Sequence, residues 1–387
     1  MKNRFKRGMV LFLALMTATV LLLSGCGTKN SESASGASGA PEISGLTYSK
    51  TMKLDYAKEF NVYYYKDGYK LIDIKDDAKY LIVPKGKKAP EKLSKKIKVL
   101  RGPVKNIYLA ATASMALFSS MDALDNISMT SLKSGGWSFR SVRDAMNAGK
   151  IVYAGKYSEP DYELLLDKKC GLAIESTMIY HTPDVKEMIE DLKIPVMVDR
   201  SSYESNPLGR TEWIKLYGAL TGHEKQAQAF FEKQEKKISA LDDFRNTEKT
   251  VAFFYISTDG KAVVRSSKDY VPTMIEMAGG RYVFKKLTDS DGKTSVPMTI
   301  EKFYDTAADA DYIVYNGSID STVRSMDDLI AKDPIMKKFK AVKNGQCYAT
   351  GASMYQRTDI VGDMILDFHY LVTQKHLSEM KFLTKLK

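Results

Sequence analysis

Nine residues with flat or forked polar side chains fall in short connections that follow apolar runs: Trp137, Tyr157, Tyr180, His181, Arg200, Tyr203, Arg265, Tyr355 and Arg357. Aromatic rings cover broad flat ligands, and guanidinium groups pair with carboxylates or catecholate oxygens in a two-pronged fashion. Together they suit a large, flat, anionic ligand. Arg265 closes an apolar run and is the strongest single choice for an anion contact. Each residue has a plainer reading. Trp137 follows Gly135-Gly136 and can simply close a loop. Any one of 23 tyrosines is more often structural. His181 could ligate a haem iron, yet Thr182-Pro183 beside it makes a helix-capping loop equally natural.

Other chemistries find little support. The four histidines stand at 181, 223, 369 and 376, and His369 and His376 supply half a metal site at most. No metal or cofactor is expected. A hydrolytic site would have to join His181 to Ser176 or Thr177, with only Glu175 to orient the imidazole. Gly292-Lys293-Thr294 echoes the end of a phosphate-binding loop, but Leu287 occupies the position of its first glycine. Met115, Met121, Met178 and Met354 read as core filling.

The elements that must position these loops alternate along the chain. Runs at Ile107–Ala110, Ile151–Ala154, Leu172–Glu175 and Ile194–Val198 read as strands. Helices are expected near 114–121, 162–167 and 183–192. The pattern resumes with strands at 251–256, 262–264, 312–315 and 347–349. Helices are expected at 270–278, 300–308, 333–339 and 359–374. Such alternation predicts an α/β fold of two lobes, each with a mostly parallel sheet flanked by helices. In open α/β sheets ligands sit beyond the carboxyl ends of the strands, where the nine residues lie. Ahead of the first lobe, Val62–Tyr65 and Tyr69–Ile74 flank Asp67-Gly68 and predict a β-hairpin preface, with Tyr80–Val83 as a further strand. Between the lobes a helix is expected over Leu208–Leu220, ended by Gly222. The charged stretch 223–245 follows, with Ala227, Phe231, Ile238 and Leu241 as a narrow apolar stripe. As one helix it would span roughly 35 Å and act as a strut between lobes.

The N-terminus carries a targeting pattern. Lys2, Arg4, Lys6 and Arg7 precede an apolar run over 9–23 that is short for a membrane span. Removing those four cations lowers the formal net charge from +11 to +7. The remainder reads as a solvated basic surface spread along the chain, without a nucleic-acid partner. Leu23-Ser24-Gly25-Cys26 resembles the lipobox of bacterial lipoproteins, in which the cysteine receives diacylglycerol and becomes the mature N-terminus. Residues 26–45, rich in Ser, Gly and Ala, read as a flexible linker from that anchor. Cys170 and Cys347 fall in different lobes and read as free thiols.

Taken together, the lipobox, the linker and two α/β lobes about one long helix resemble a substrate-binding lipoprotein of an ABC importer. The likeness is to the group that binds ferric siderophores, cobalamin and haem. Stretches such as NIYLAATASMALF, KYSEPDYELLL, KKCGLAIES, VPTMIEMAGGRYVF and TIEKFYDTAADADYIVYN carry it. The resemblance implies a signal peptide over 1–25, lobes over 46–206 and 247–387, and connecting helices over 207–246. It implies a monomer held by lipid on the extracytoplasmic face of the cell membrane, without enzymatic activity. Its ligand would be a ferric siderophore or related large chelate, with a corrinoid second and haem third, delivered to an ABC permease dimer. Glu163 and Glu301 match the family's permease-docking glutamates, although a first-turn carboxylate at a helix N-terminus also explains both.

Overall fold

The structure, a computed structural model, describes residues 39–241, 243–288, 294–352 and 354–387. The targeting segment, Cys26 and residues 26–38 of the expected linker lie outside the described residues. Residues 42–387 form one compact unit whose main strands belong to three sheets.

The first sheet is larger than the predicted hairpin. Strands β1 (Tyr48–Thr51), β2 (Phe60–Tyr65), β3 (Lys70–Ile74), β4 (Lys79–Val83) and β5 (Ile97–Arg101) lie in sequence order. Its pairs are antiparallel except β4–β5, which is parallel. The β2–β3 turn has Asp67 at φ 61° and Gly68 at φ 82°, the two consecutive left-handed residues that a tight hairpin demands. Alternation gives the sheet two apolar faces. Phe60, Val62, Ile72 and Ile74 join the main core, whereas Tyr65, Leu71, Leu81 and Val83 pack with Ile43 and Tyr69 in a small satellite core.

The first-lobe sheet is wholly parallel. It consists of β6 (Ile107–Leu109), β7 (Ile127–Thr130), β8 (Val152–Tyr153), β11 (Leu172–Ser176) and β12 (Val196–Asp199), ordered β12-β11-β6-β7-β8. A small hairpin, β9 (Gly155–Lys156) with β10 (Glu159–Pro160), precedes β11. Helices α1 (Met115–Ser120), α2 (Arg140–Asn147), α3 (Tyr162–Asp167) and α4 (Pro183–Asp191) connect the strands. The second-lobe sheet is mixed. It holds β13 (Thr250–Ile256), β14 (Ala262–Arg265), β16 (Ser295–Met298), β17 (Tyr312–Tyr315), β18 (Cys347–Thr350) and β19 (Leu383–Lys385), with β15 (Arg281–Tyr282) pairing to β13. Its helices include α7 (Tyr270–Met277), α8 (Ile300–Ala307), α9 (Met326–Lys332), α10 (Lys340–Lys343) and α11 (Val361–Thr373). Cys347 is not the last strand, since β19 pairs antiparallel beside it. The helix expected over 333–339 is a 3-10 turn from Pro334 to Lys338. Among the described residues Cys170 and Cys347 form no disulfide.

Two helices join the lobes, α5 (Pro207–Thr221) and α6 (Glu224–Ile238), divided by Gly222 at φ 82°. The helix expected over 223–245 thus ends seven residues early, continuing only as a 3-10 turn from Ser239 to Leu241. The central position belongs to α5. All 15 of its residues are buried, Arg210, Glu212 and Lys215 among them. Toward the first lobe, Tyr217 Oη donates to Asp199 at 2.8 Å and the Val104 amide donates to the Leu220 carbonyl at 3.0 Å. Toward the second, Thr211 Oγ1 donates to the Thr358 carbonyl at 2.9 Å. Toward the first sheet, the Glu212 carboxylate accepts from the amides of Asp55, Tyr56 and Ala57 at 2.8–3.0 Å. Polar side chains on a buried helix need such partners, because an unmet charge or donor away from water costs several kcal/mol (about 1–3 even for a neutral group).

Candidate functional site

Arg265 terminates β14, at the carboxyl end of that strand, and is 8% exposed. Its backbone is held by Tyr282, whose hydroxyl lies 3.0 Å from the Arg265 amide and 2.9 Å from its carbonyl. The guanidinium donates to Ser295 Oγ at 2.8 Å and to Tyr355 Oη at 2.5 Å, while the Asn316 amide donates to the same phenol oxygen at 3.2 Å. Two of the nine sequence-selected residues, Arg265 and Tyr355, therefore meet directly across 90 residues of chain. Asp269, the N-cap of α7, lies 3.9 Å from the guanidinium and is itself buried. Burial works against the Arg265 cation, but Asp269 and the surrounding tyrosines outweigh it and hold its pKa above the ordinary value. Burial raises the Asp269 pKa, partly countered by Arg265 and Arg210.

Arg210 completes this cluster and was not among the sequence candidates. It projects from α5 with its guanidinium 4.0 Å from the centroid of the Tyr270 ring, and its Nε has no hydrogen-bond partner among the described residues. The buried Asp269 carboxylate feels the charge of both guanidiniums. Arg210 was hidden because its neighbours Thr211, Glu212 and Lys215 give the segment the look of a partly solvated helix. The signal that could have revealed it is the Pro207 start and Gly222 stop, which bound a segment whose apolar residues Leu208, Trp213, Ile214, Leu216, Tyr217 and Leu220 spread over more than one side of a helix.

The loops of the two lobes meet beside this cluster. Gln356 Oε1 accepts from the Ser138 amide and hydroxyl, both at 2.9 Å, and its Nε2 donates to the Gly136 carbonyl at 2.8 Å. Thr358 Oγ1 donates to the Ala113 carbonyl at 2.6 Å. Arg357 pairs through two nitrogens with Asp359 and lies 5.3 Å from the centroid of the Phe139 ring. Trp137 sits under this junction at 2% exposure, and its indole N–H has no partner among the described residues.

The remaining candidates divide differently. Arg200, Tyr180 and Tyr203 form a first-lobe group, with the Arg200 guanidinium 4.6 Å from the Tyr203 ring centroid. Arg200 is already engaged, since its Nε and Nη2 donate to Glu59 at 3.0 and 2.9 Å and bind the first sheet to the lobe. Tyr180 and Tyr203 are exposed. Tyr157 is half-buried at the β9–β10 turn among the residues around Tyr108. His181 is exposed on the 3-10 turn after β11, and neither Ser176 nor Thr177 bonds to it: the Ser176 hydroxyl accepts from the Met178 amide and Thr177 meets Ser202. Glu175 is 0% exposed and neither oxygen has a partner among the described residues, so it does not orient His181. Glu163 and Glu301 stand exposed in the first turns of α3 and α8. No cluster of three or more His, Cys, Asp or Glu suited to a metal occurs among the described residues.

Residues 112–354 match the model of the family described as periplasmic binding protein. A lipoprotein of uncharacterised function from Methanocaldococcus jannaschii is 26% identical over 333 residues, covering 79% of this chain and 78% of its own. Among solved structures, a periplasmic haem-binding protein of Vibrio cholerae superposes with a TM-score of 0.55 at 18% identity, over 70% of this chain and 99% of that one. A protein of an Fe3+-hydroxamate transport system from Saccharomonospora viridis does so at 0.53 and 16% identity, over 70% and 94%.

Proposed function

We propose, from the premise that this chain belongs to the periplasmic binding protein family, that it captures a large anionic iron chelate outside the cytoplasm and passes it to an ABC permease. The observation that carries this reading is the Arg210–Asp269–Arg265 cluster. Two buried guanidiniums against one carboxylate leave cationic character beside the phenol of Tyr355, at the mouth where the lobes meet. An anionic ligand supplies the missing charge, and its recognition by forked donors is geometrically selective. A ferric siderophore fits this best, and the Fe3+-hydroxamate neighbour supports it. A corrinoid comes second. Haem comes third, because the histidine candidate His181 is exposed and Glu175 does not orient it, although a haem-binding neighbour keeps this ligand in the comparison. Lipid attachment at Cys26 belongs to the same reading, supported by the lipoprotein relative. Tyr180 and Tyr203 are assigned to the ligand-facing surface, Trp137 to the buried support beneath it, and Glu163 and Glu301 to permease docking.

Calorimetric titration of the purified chain with ferric hydroxamate and catecholate siderophores, cyanocobalamin and haem tests the proposal. A ferric siderophore should bind with Kd below about 10 μM, roughly 7 kcal/mol. Arg265→Ala should weaken it at least tenfold, about 1.4 kcal/mol or more, and Tyr355→Phe less while retaining the fold. Absence of binding to every chelate, or equal binding by the Arg265 variant, refutes it.

A further inference from the structure

The first sheet carries the protein's surplus charge. Residues 46–101 contain 15 Lys and Arg against 7 Asp and Glu, a surplus of eight. After removal of the four cations of the targeting segment, the rest of the chain holds 39 Lys and Arg and 40 Asp and Glu. The expectation of a basic surface spread along the chain is thus corrected: the lobes are close to neutral and one module is basic. The family match begins at residue 112, beyond this module.

Within it, the charge condenses in the β4–β5 connection. Residues 84–96 (PKGKKAPEKLSKK) hold six lysines and one glutamate, and Arg101 closes β5 beside them. Lys85, Lys87, Lys88, Lys92, Lys95, Lys96 and Arg101 are all exposed. Among the described residues only Lys87 makes an ion pair, with Asp67 at 3.4 Å. The connection is pinned in place, so the charges are presented from a fixed surface. Tyr69 donates to the Lys88 carbonyl at 2.7 Å, and Ala89 and Leu93 pack against the satellite core with Leu46. Residues 44–46, near the start of the described chain, line the same shallow depression as Lys88 and Lys92.

We infer that the β4–β5 connection faces an anionic lipid surface and settles the body of the protein against it. Lysine is a compact point charge that suits smeared negative charge, whereas recognition of shaped phosphates favours arginine. Stretch 84–96 has neither arginine nor an aromatic ring, and the stacking that marks nucleic-acid grooves is missing from it. Such attraction acts within about 8 Å of the surface at physiological salt, so only a patch held close to the membrane uses it. The inference rests on the lipid-anchored reading for its location. The anchor retains the protein, and the patch sets which side faces down.

The test removes the anchor and keeps the patch. Protein of the expected mature length, residues 26–387 with Cys26→Ser, is floated with phosphatidylcholine vesicles, with and without about 30% phosphatidylglycerol. The anionic vesicles should bind it more than tenfold better, an increment abolished at about 0.5 M salt. Replacing all six lysines of 84–96 by Gln should erase the increment while leaving the unfolding midpoint unchanged, because every one is exposed. No increment for the Cys26→Ser protein, or one that survives the sixfold replacement, overturns the inference. Patch-dependent binding to duplex DNA without binding to vesicles also overturns it, in favour of a polyanion. Mass spectrometry of native Cys26 judges the lipid reading separately.

Discussion

Glu175 lies at the penultimate position of β11, neither carboxylate oxygen has a partner among the described residues, and burial pushes its pKa up to about 8 from an ordinary 4.5. Tyr108, Tyr162 and Cys170 are the titratable groups that feel its charge. Between those two pH values the folded state holds a proton that the unfolded chain releases. The stabilisation is complete below pH 4.5 and is lost as pH rises through 8. Denaturant unfolding should show stability falling by up to about 1.4 kcal/mol per pH unit in that window. Glu175→Gln should flatten the dependence, whereas an equally steep profile in the variant assigns it elsewhere. Residues were legible in the sequence where they end an apolar strand. Arg265 follows Ala262-Val263-Val264 and stands out for that, although β14 runs antiparallel to β13, so the carboxyl-end rule for parallel strands does not account for its place. Arg210 escaped because charged residues inside a helix ordinarily mark a wet face, and here four-sided burial reverses that rule.

At the scale of elements, the contact between α5 and α6 depends on a glycine. A Cβ added at Gly218 would lie 2.7 Å from Ala227 Cβ and 3.2 Å from the Glu224 Cα, nearer than atoms of a packed helix pair approach. Gly218→Ala should therefore cost about 1–3 kcal/mol, despite alanine's better helix propensity. A variant as stable as the parent in urea denaturation would show that the two helices can separate freely. Strongly apolar or well-capped elements were readable in advance: Tyr312–Tyr315 and Tyr162–Asp167 occupy the bounds expected for them. Weakly patterned ones were not. Helix α2 buries only Val142, β7 interleaves Ser and Thr, and β19 has a single buried residue. Their existence depends on neighbours distant in sequence, which local periodicity does not record.

At the scale of the whole molecule, the two α/β lobes follow from alternation of strands and helices. The five-stranded sheet ahead of them was only partly foreseen. It is held through long-range contacts such as Glu59 to Arg200 and Glu212 to residues 55–57, which no local motif announces. The exposed Glu163 and Glu301, one on each lobe, make the permease-docking proposal separable from ligand capture. Double replacement by Ala should abolish chelate uptake in cells while leaving the Kd of the purified protein within about twofold, since neither residue touches the arginine cluster. Undiminished uptake would return both to ordinary first-turn charges.

The Gln356 bridge sets an equilibrium that a ligand must enter. On the proposed reading, a chelate seated between loops 134–139 and 354–360 exchanges its own contacts for the three hydrogen bonds Gln356 makes to Gly136 and Ser138. If these are together worth about 2 kcal/mol net, the receptive arrangement is populated at a few per cent. The apparent dissociation constant then exceeds the intrinsic one roughly thirtyfold. The bridge so acts as a threshold, releasing weakly matched molecules and reserving occupancy for ligands with binding energy to spare.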